Sequence, residues 1–187
     1  MPQPRRRNRF IIEVLFLGLL AGAALTAPPA QAVDAIGPYY ALPSWSQNMG
    51  VVNRFVVLTN WSSAAVLDKE TGLVWERAPF TTTYSWAAAR LACTARTTGG
   101  RKGWRLPSIP ELASVIDPSV ASSGPTLPVG HPFLTVQSAY YWSATTTAEF
   151  PTIAWNVDFF NGNVGNTHKT LANHAWCVRG GMNADQY

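Results

Sequence analysis

Hydrophobic positions are unevenly spread along this chain. Ile11 to Ala27 is an almost unbroken apolar run, preceded by Arg5, Arg6, Arg7 and Arg9 and followed by Pro28-Pro29 and Ala30-Gln31-Ala32. A basic start, an apolar stretch with small residues toward its end and a small-x-small tripeptide make up a secretory signal peptide, with cleavage expected after Ala32. The run is near the lower length limit for crossing a bilayer, and Glu13 within it and the two prolines after it argue against a retained span. Residues 33–50 are rich in Pro, Tyr and Ser and lack periodicity, which reads as an irregular arm. The domain proper is expected over 51–187.

Within the domain the patterning changes from period two to helical and back. Val51–Thr59 reads as a strand, and Ala64–Leu67 and Leu73–Arg77 read as two more, joined through Asp68-Lys69-Glu70-Thr71-Gly72 with the glycine at the positive φ of a hairpin loop. Thr81-Thr82-Thr83 offers cap hydroxyls ahead of a helix over Tyr84–Arg96, where Trp86, Ala89 and Cys93 share a face; Gly99-Gly100 is expected to end it. A second helix begins at Ser108, because Ser108-Ile109-Pro110-Glu111 is a capping box with proline in the first turn, and Asp117-Pro118 stops it. Pro118, Gly124, Pro125, Pro128, Gly130 and Pro132 make 118–132 a long loop, either functional or mobile. Strands follow at Tyr140–Thr145, at 153–159 and at His174–Arg179, with Asn161-Gly162 as a hairpin signal. Period-two alternation turns Ile153, Trp155, Val157 and Phe159 to one face and Ala154, Asn156 and Asp158 to the other, predicting a buried Trp155 beneath a polar outer face. The sum is an α+β fold with antiparallel sheets and two helices. Eight tryptophans share no period, which argues against a propeller.

Composition narrows the partners. The formal charge of +4 comes from 14 Lys+Arg against 10 Asp+Glu, but the expected signal peptide holds four of those arginines and one glutamate. What remains is nearly neutral, which does not support a general nucleic-acid field. Cys93 and Cys177 both fall in the expected exported part, where an oxidising compartment favours pairing and two cysteines allow one intramolecular connectivity.

Several motifs in order resemble a known family: Asp68-Lys69-Glu70-Thr71-Gly72-Leu73-Val74-Trp75, Trp86 to Cys93, Gly103-Trp104-Arg105-Leu106-Pro107-Ser108 with Glu111-Leu112, Tyr141-Trp142-Ser143-Ala144 and Cys177-Val178-Arg179. Together they resemble the Lcl C-terminal domain family of bacterial exported domains. The resemblance implies a C-type lectin-like fold in which a helix cysteine is tied to one near the last strand. It also implies structural roles for Trp75, Trp86, Trp104, Arg105, Leu106, Pro107, Glu111, Trp142 and Arg179, the turn at 104–107 seating the second helix. It transfers no catalytic residues.

Candidate chemistry beyond that is sparse. Asn156, Asp158, Asn161 and Asn163 supply the amide and carboxylate groups that take sugar hydroxyls, while Arg101, Lys102 and Arg105 form the one local basic run, able to hold a sulfate or carboxylate. A site is expected among the 118–132 loop and the 143–151 and 161–170 connections. Histidines 131, 168 and 174 show no metal-ligand spacing, and calcium would need a denser set of oxygens, so neither metal nor other cofactor is expected. Paired-carboxylate catalysis would require two of Glu70, Glu76, Glu111, Glu149 and Asp158 to converge, and no Gly-x-Ser-x-Gly is present. The expected function is a non-catalytic binding module for glycan or another envelope polymer; a purely structural envelope module is the alternative.

Overall fold

The computed structural model describes residues 50–120 and 123–180; the expected signal peptide at 1–32, nearly all of the 33–50 arm and the tail beyond Gly180 lie outside the described residues. In place of the strand expected over 51–59, the domain enters on one helical turn, α1 (Val51–Arg54), then a short strand β1 (Phe55–Val57) and a 3-10 turn at Thr59–Trp61. Two valines favour strand, yet the amides of Asn53 and Arg54 donate to the Gly50 carbonyl and Arg54 ends up buried. Its guanidinium donates to both carboxylate oxygens of Asp68 at 2.9 and 2.8 Å and to the Ser114 carbonyl at 2.8 Å, and lies 3.4 Å from Glu70. A buried cation persists only when it is paired and hydrogen-bonded, and tertiary contact here overrides the local β preference.

The first expected hairpin is present as β2 (Ala65–Asp68) and β3 (Val74–Glu76), with Gly72 at φ 72° and its amide donating to the Asp68 carbonyl. The first long helix is shorter than expected. Thr83–Tyr84 forms β4 and the helix α2 runs from Trp86 to Thr94. No threonine hydroxyl caps it, nor does the Ser85 side chain; the Trp86 amide donates to the Lys169 carbonyl instead. Ala89 and Cys93 are buried on the predicted face, while Gly99 and Gly100 fall beyond the helix in a separate 3-10 turn at positive φ.

The capping box is as read. Ser108 Oγ accepts from the Glu111 amide, Glu111 Oε2 accepts from the Ser108 amide, and α3 (Ile109–Ala113) follows, ending before Asp117-Pro118 is reached. The 118–132 loop is stitched down where it is described. The Asp117 amide donates to the Thr126 carbonyl, the Thr126 amide to the Phe159 carbonyl, and Leu127 is buried.

Five strands complete the chain: β5 (Tyr140–Thr146), β6 (Ile153–Asp158), β7 (Asn163–His168), β8 (Asn173–His174) and β9 (Val178–Arg179). The terminal strand expected over 174–179 is thus two strands, and they join different sheets. One sheet has the order β1-β2-β3-β9 and the other β4-β8-β5-β6-β7. Pairing is antiparallel, as expected, except at Tyr141 and His174, where β5 and β8 run parallel. The fold is α+β, with two sheets and three short helices among the described residues.

Alternation on β6 is also corrected. Ala154, Asn156 and Asp158 are buried, and Trp155 is only half-buried. Both faces of the middle of β6 are covered, because one hydrophobic cluster lies against each; Val157 belongs to one cluster and Ala154 to the other. A strand buried on both faces cannot be oriented by period two. The first cluster is aromatic at its centre, where Trp176 meets Trp75, Phe133 and Phe159 at centroid distances of 5.1, 4.8 and 5.8 Å. Such contacts add about 0.5–1.5 kcal/mol each beyond area burial.

Candidate functional site

Cys93 on α2 and Cys177, directly before β9, form a buried disulfide, the pairing expected from compartment and from family resemblance. It fixes the end of the chain beside segment 101–105. Arg105 and Val178 exchange backbone hydrogen bonds at 3.0 and 2.9 Å, and the Trp104 indole, buried, donates to the Arg101 carbonyl. Arg179, the residue after Val178, donates from Nε to the Lys102 carbonyl at 2.8 Å. Arg101 and Lys102 therefore lie next to Arg179 because both sides of the bridge are hydrogen-bonded backbone.

Trp61 completes the patch. Its ring lies edge-on to Trp104 at 6.3 Å, and the guanidiniums of Arg101 and Arg179 lie over it at 5.4 and 5.5 Å. Each such cation–π contact contributes about 0.5–1 kcal/mol at an exposed position. Gly99 is required beneath the ring, since a Cβ there would stand 2.8 Å from the Trp61 Cβ and the residue is at φ 64°. Among the described residues no carboxylate pairs with Arg101, Lys102 or Arg179. Two guanidiniums over one half-buried indole, with the exposed Lys102 next to Arg101 in the chain, can take an anion through guanidinium forks, with the ring offering an apolar surface beside them.

The support under this patch carries a titratable group. Glu76 on β3 accepts from Thr98 Oγ1 at 2.6 Å and pairs with Arg96 at 2.8 Å, tying down the 3-10 turn that contains Gly99; Arg96 in turn lies 3.6 Å over the Phe80 ring. Burial pushes the Glu76 carboxyl up from its ordinary value, outweighing the lowering by Thr98, Arg96 and the Cys177 backbone. A raised folded value means the folded state holds the extra proton, so the associated stability is full below the unfolded carboxylate range and is lost as pH rises through the folded value. Wild type is therefore expected to gain stability over Glu76→Gln when pH is lowered from about 7 to about 4. Denaturant midpoints of both proteins at the two pH values check this; a constant or reversed difference contradicts it.

The other residues expected to bind are placed as follows. Arg105 makes a two-pronged contact with Glu111, Nη1 to Oε2 and Nη2 to Oε1, both at 2.8 Å, and donates to the carbonyls of Leu106 and Gly180. It clamps the α3 cap to the end of the described chain. Asn156 is fully buried and donates to Thr167 Oγ1 at 2.6 Å; Asp158 is buried and accepts from the Phe160 amide. Asn161 and Asn163 are exposed at the β6–β7 hairpin, where Asn161 Oδ1 accepts from the Asn163 amide. The basic run, bridged to β9 only through Arg105, thus lies apart from the sheet that carries the hairpin asparagines. Trp61 carried no sequence signal beyond a turn, and Arg179 was legible only as a family residue.

The remaining titratable groups are dispersed. Glu70 lies by Arg54, Glu76 by Arg96, Glu111 on Arg105, and Glu149 in the exposed β5–β6 turn. His131 Nδ1 accepts from the Phe133 amide, His168 bonds Thr170, and His174 stacks on Tyr141 at 5.2 Å. Among the described residues no group of three or more His, Cys, Asp or Glu is placed to hold a metal ion, and no helix is long and apolar enough to cross a membrane.

Two sheets and short helices, tied by one disulfide between α2 and the entry to the final strand, define a small single-disulfide α+β domain. The Lcl C-terminal domain matches residues 64–179, every element from β2 to β9, and the chain belongs to that family. No curated protein matches the chain.

Proposed function

We propose that this protein is an exported, non-catalytic binding module whose Trp61–Arg101–Lys102–Arg179 platform takes an anionic envelope polymer, carboxylated, phosphorylated or sulfated. The observation that carries this reading is that the Arg101 and Arg179 guanidiniums lie over the half-buried Trp61 indole without a carboxylate partner among the described residues, whereas Arg54, Arg96 and Arg105 each have one. Export is supported by the basic, apolar and small-residue segments before Val33 and by the disulfide. A lectin-like binding role agrees with an α+β domain that fastens a helix to its last strand. The structural-module alternative draws on Arg105 and Asn156, both engaged in holding the fold together.

The test is binding of the disulfide-bonded protein, as recovered from the cell that exports it, to immobilised neutral, carboxylated, phosphorylated and sulfated polysaccharides at two salt concentrations. Arg101→Glu with Lys102→Glu is expected to weaken anionic binding at least ~tenfold, each reversal costing on the order of 1 kcal/mol or more. Both side chains are exposed, so folding is retained. Salt-sensitive binding lost in this variant supports the platform. Binding only to neutral sugars, unchanged by the variant, transfers the role to Asn161 and Asn163; no binding by the folded protein favours the structural module.

A further inference from the structure

The outer edge of β7 is the longest open strand edge among the described residues. The competing edges are β1 with three residues and β4 with two, while the outer side of β9 is bridged by Arg105. β7 keeps unbroken register with β6 over all six of its residues, from Asp158 opposite Asn163 to Ile153 opposite His168. In an edge strand about half of the backbone N–H and C=O groups point away from the sheet. Beyond the β6 ladder, Val164–Thr167 make no backbone hydrogen bond to another described segment, and the His168 carbonyl accepts only from the Leu171 amide in the following turn.

Soluble proteins blunt such edges with lysine, proline or a bulge. β7 has none of these: its sequence Asn163-Val164-Gly165-Asn166-Thr167-His168 carries no lysine, arginine, carboxylate or proline. The one nearby lysine does not guard it. Lys169, directly after the strand, donates from Nζ to the Pro151 carbonyl and lies 4.2 Å over the Trp86 ring, where Arg90 also sits at 4.7 Å. Val164 is 50% exposed on this edge, and Phe160 and Tyr140 are exposed close by.

The geometry points to a second copy of this chain as the partner, β7 pairing antiparallel with its counterpart about a two-fold axis to join the two five-stranded sheets. Paired residues must share a face, so the axis passes through a residue, Gly165 or Asn166, and not between two. Through Asn166 the pairs are Asn166 with Asn166, Gly165 with Thr167 and Val164 with His168. Through Gly165 they are Gly165 with Gly165, Val164 with Asn166 and Asn163 with Thr167. Neither register opposes like charges, whereas of the platform cations Arg179 lies on the other sheet and Arg101 and Lys102 on neither. Electrostatic self-complementarity, which a basic or acidic edge would forbid, is met by this strand over six residues, against three in β1 and two in β4. The inference does not depend on what the platform binds.

Sedimentation of the disulfide-bonded protein across a wide concentration range tests it. The protein is expected to dimerise, and Asn166→Lys and Val164→Lys, both at exposed positions, are expected to weaken the dimer at least ~tenfold by placing cations on or beside the axis. Asn166→Thr, uncharged and suited to a strand, is expected to keep it. A protein monomeric throughout, or an oligomer that survives both lysines, overturns the inference. Should a lysine variant fail to fold, amide exchange in the unsubstituted protein decides: protection of the outward-facing Val164 and Asn166 amides that rises with concentration supports the pairing, and concentration-independent exchange overturns it.

Discussion

Replacing Cys93 and Cys177 together by alanine is expected to lower the unfolding free energy by about 4–5 kcal/mol, the chain-entropy value for a loop of this size. The bridge spans 84 residues and is the only covalent tie between α2 and β9. Without it the denatured chain gains the freedom that the loop had removed, and a domain of this size has only about 5–15 kcal/mol in total. Urea unfolding of the variant, and of wild type in reductant, checks this: both midpoints should fall together. A loss under about 2 kcal/mol would mean that the denatured chain stays compact without the bridge. Anionic binding should fall as well, since Cys177 lies two residues before Arg179.

Arg54→Met is expected to cost about 3–5 kcal/mol, the range for breaking a buried ion pair by removing one partner. Arg54 and Asp68 are both buried, and the substitution leaves the Asp68 carboxylate inside the protein without its bidentate cation. It also removes the bond to the Ser114 carbonyl, which joins the entry turn α1 to the segment just past α3. Arg54→Met with Asp68→Asn should restore much of the stability at neutral pH. Thermal melts of wild type, the single and the double variant separate these outcomes; a single variant as stable as wild type would show that the ion pair contributes nothing net.

Legibility from sequence followed the range of the interactions. The Ser108–Glu111 capping box is a four-residue device, and it reads correctly because both partners lie within reach along the chain. The Gly72 turn is equally local. Where an element depends on distant partners, local pattern misleads: the threonines at 81–83 look like caps, but Thr83 and Tyr84 pair with His174 and Asn173, so α2 starts only at Trp86. The valines at 51–52 look like a strand until Arg54 must meet Asp68. On β6 the alternation was real and its reading failed, because both faces are covered by core.

The candidate site divides in the same way. Arg101 and Lys102 are visible in the sequence as a basic run and remain the exposed members of the platform. Arg105 has the same charge but is drawn into Glu111, six residues on, by the geometry of the α3 cap. No spacing rule links Trp61, Arg101 and Arg179.

By itself the sequence determined the α+β class, the cysteine pair, the capped second helix, the first hairpin and the family, because those rest on residue type and short-range order. Only the tertiary structure decided that Arg179 stands where Arg105 was expected, that Asn156 belongs to the interior and that β7 is left as an open edge. Each of these depends on which strands become neighbours, and strand neighbours are chosen by packing of the whole core, across separations that no local pattern records.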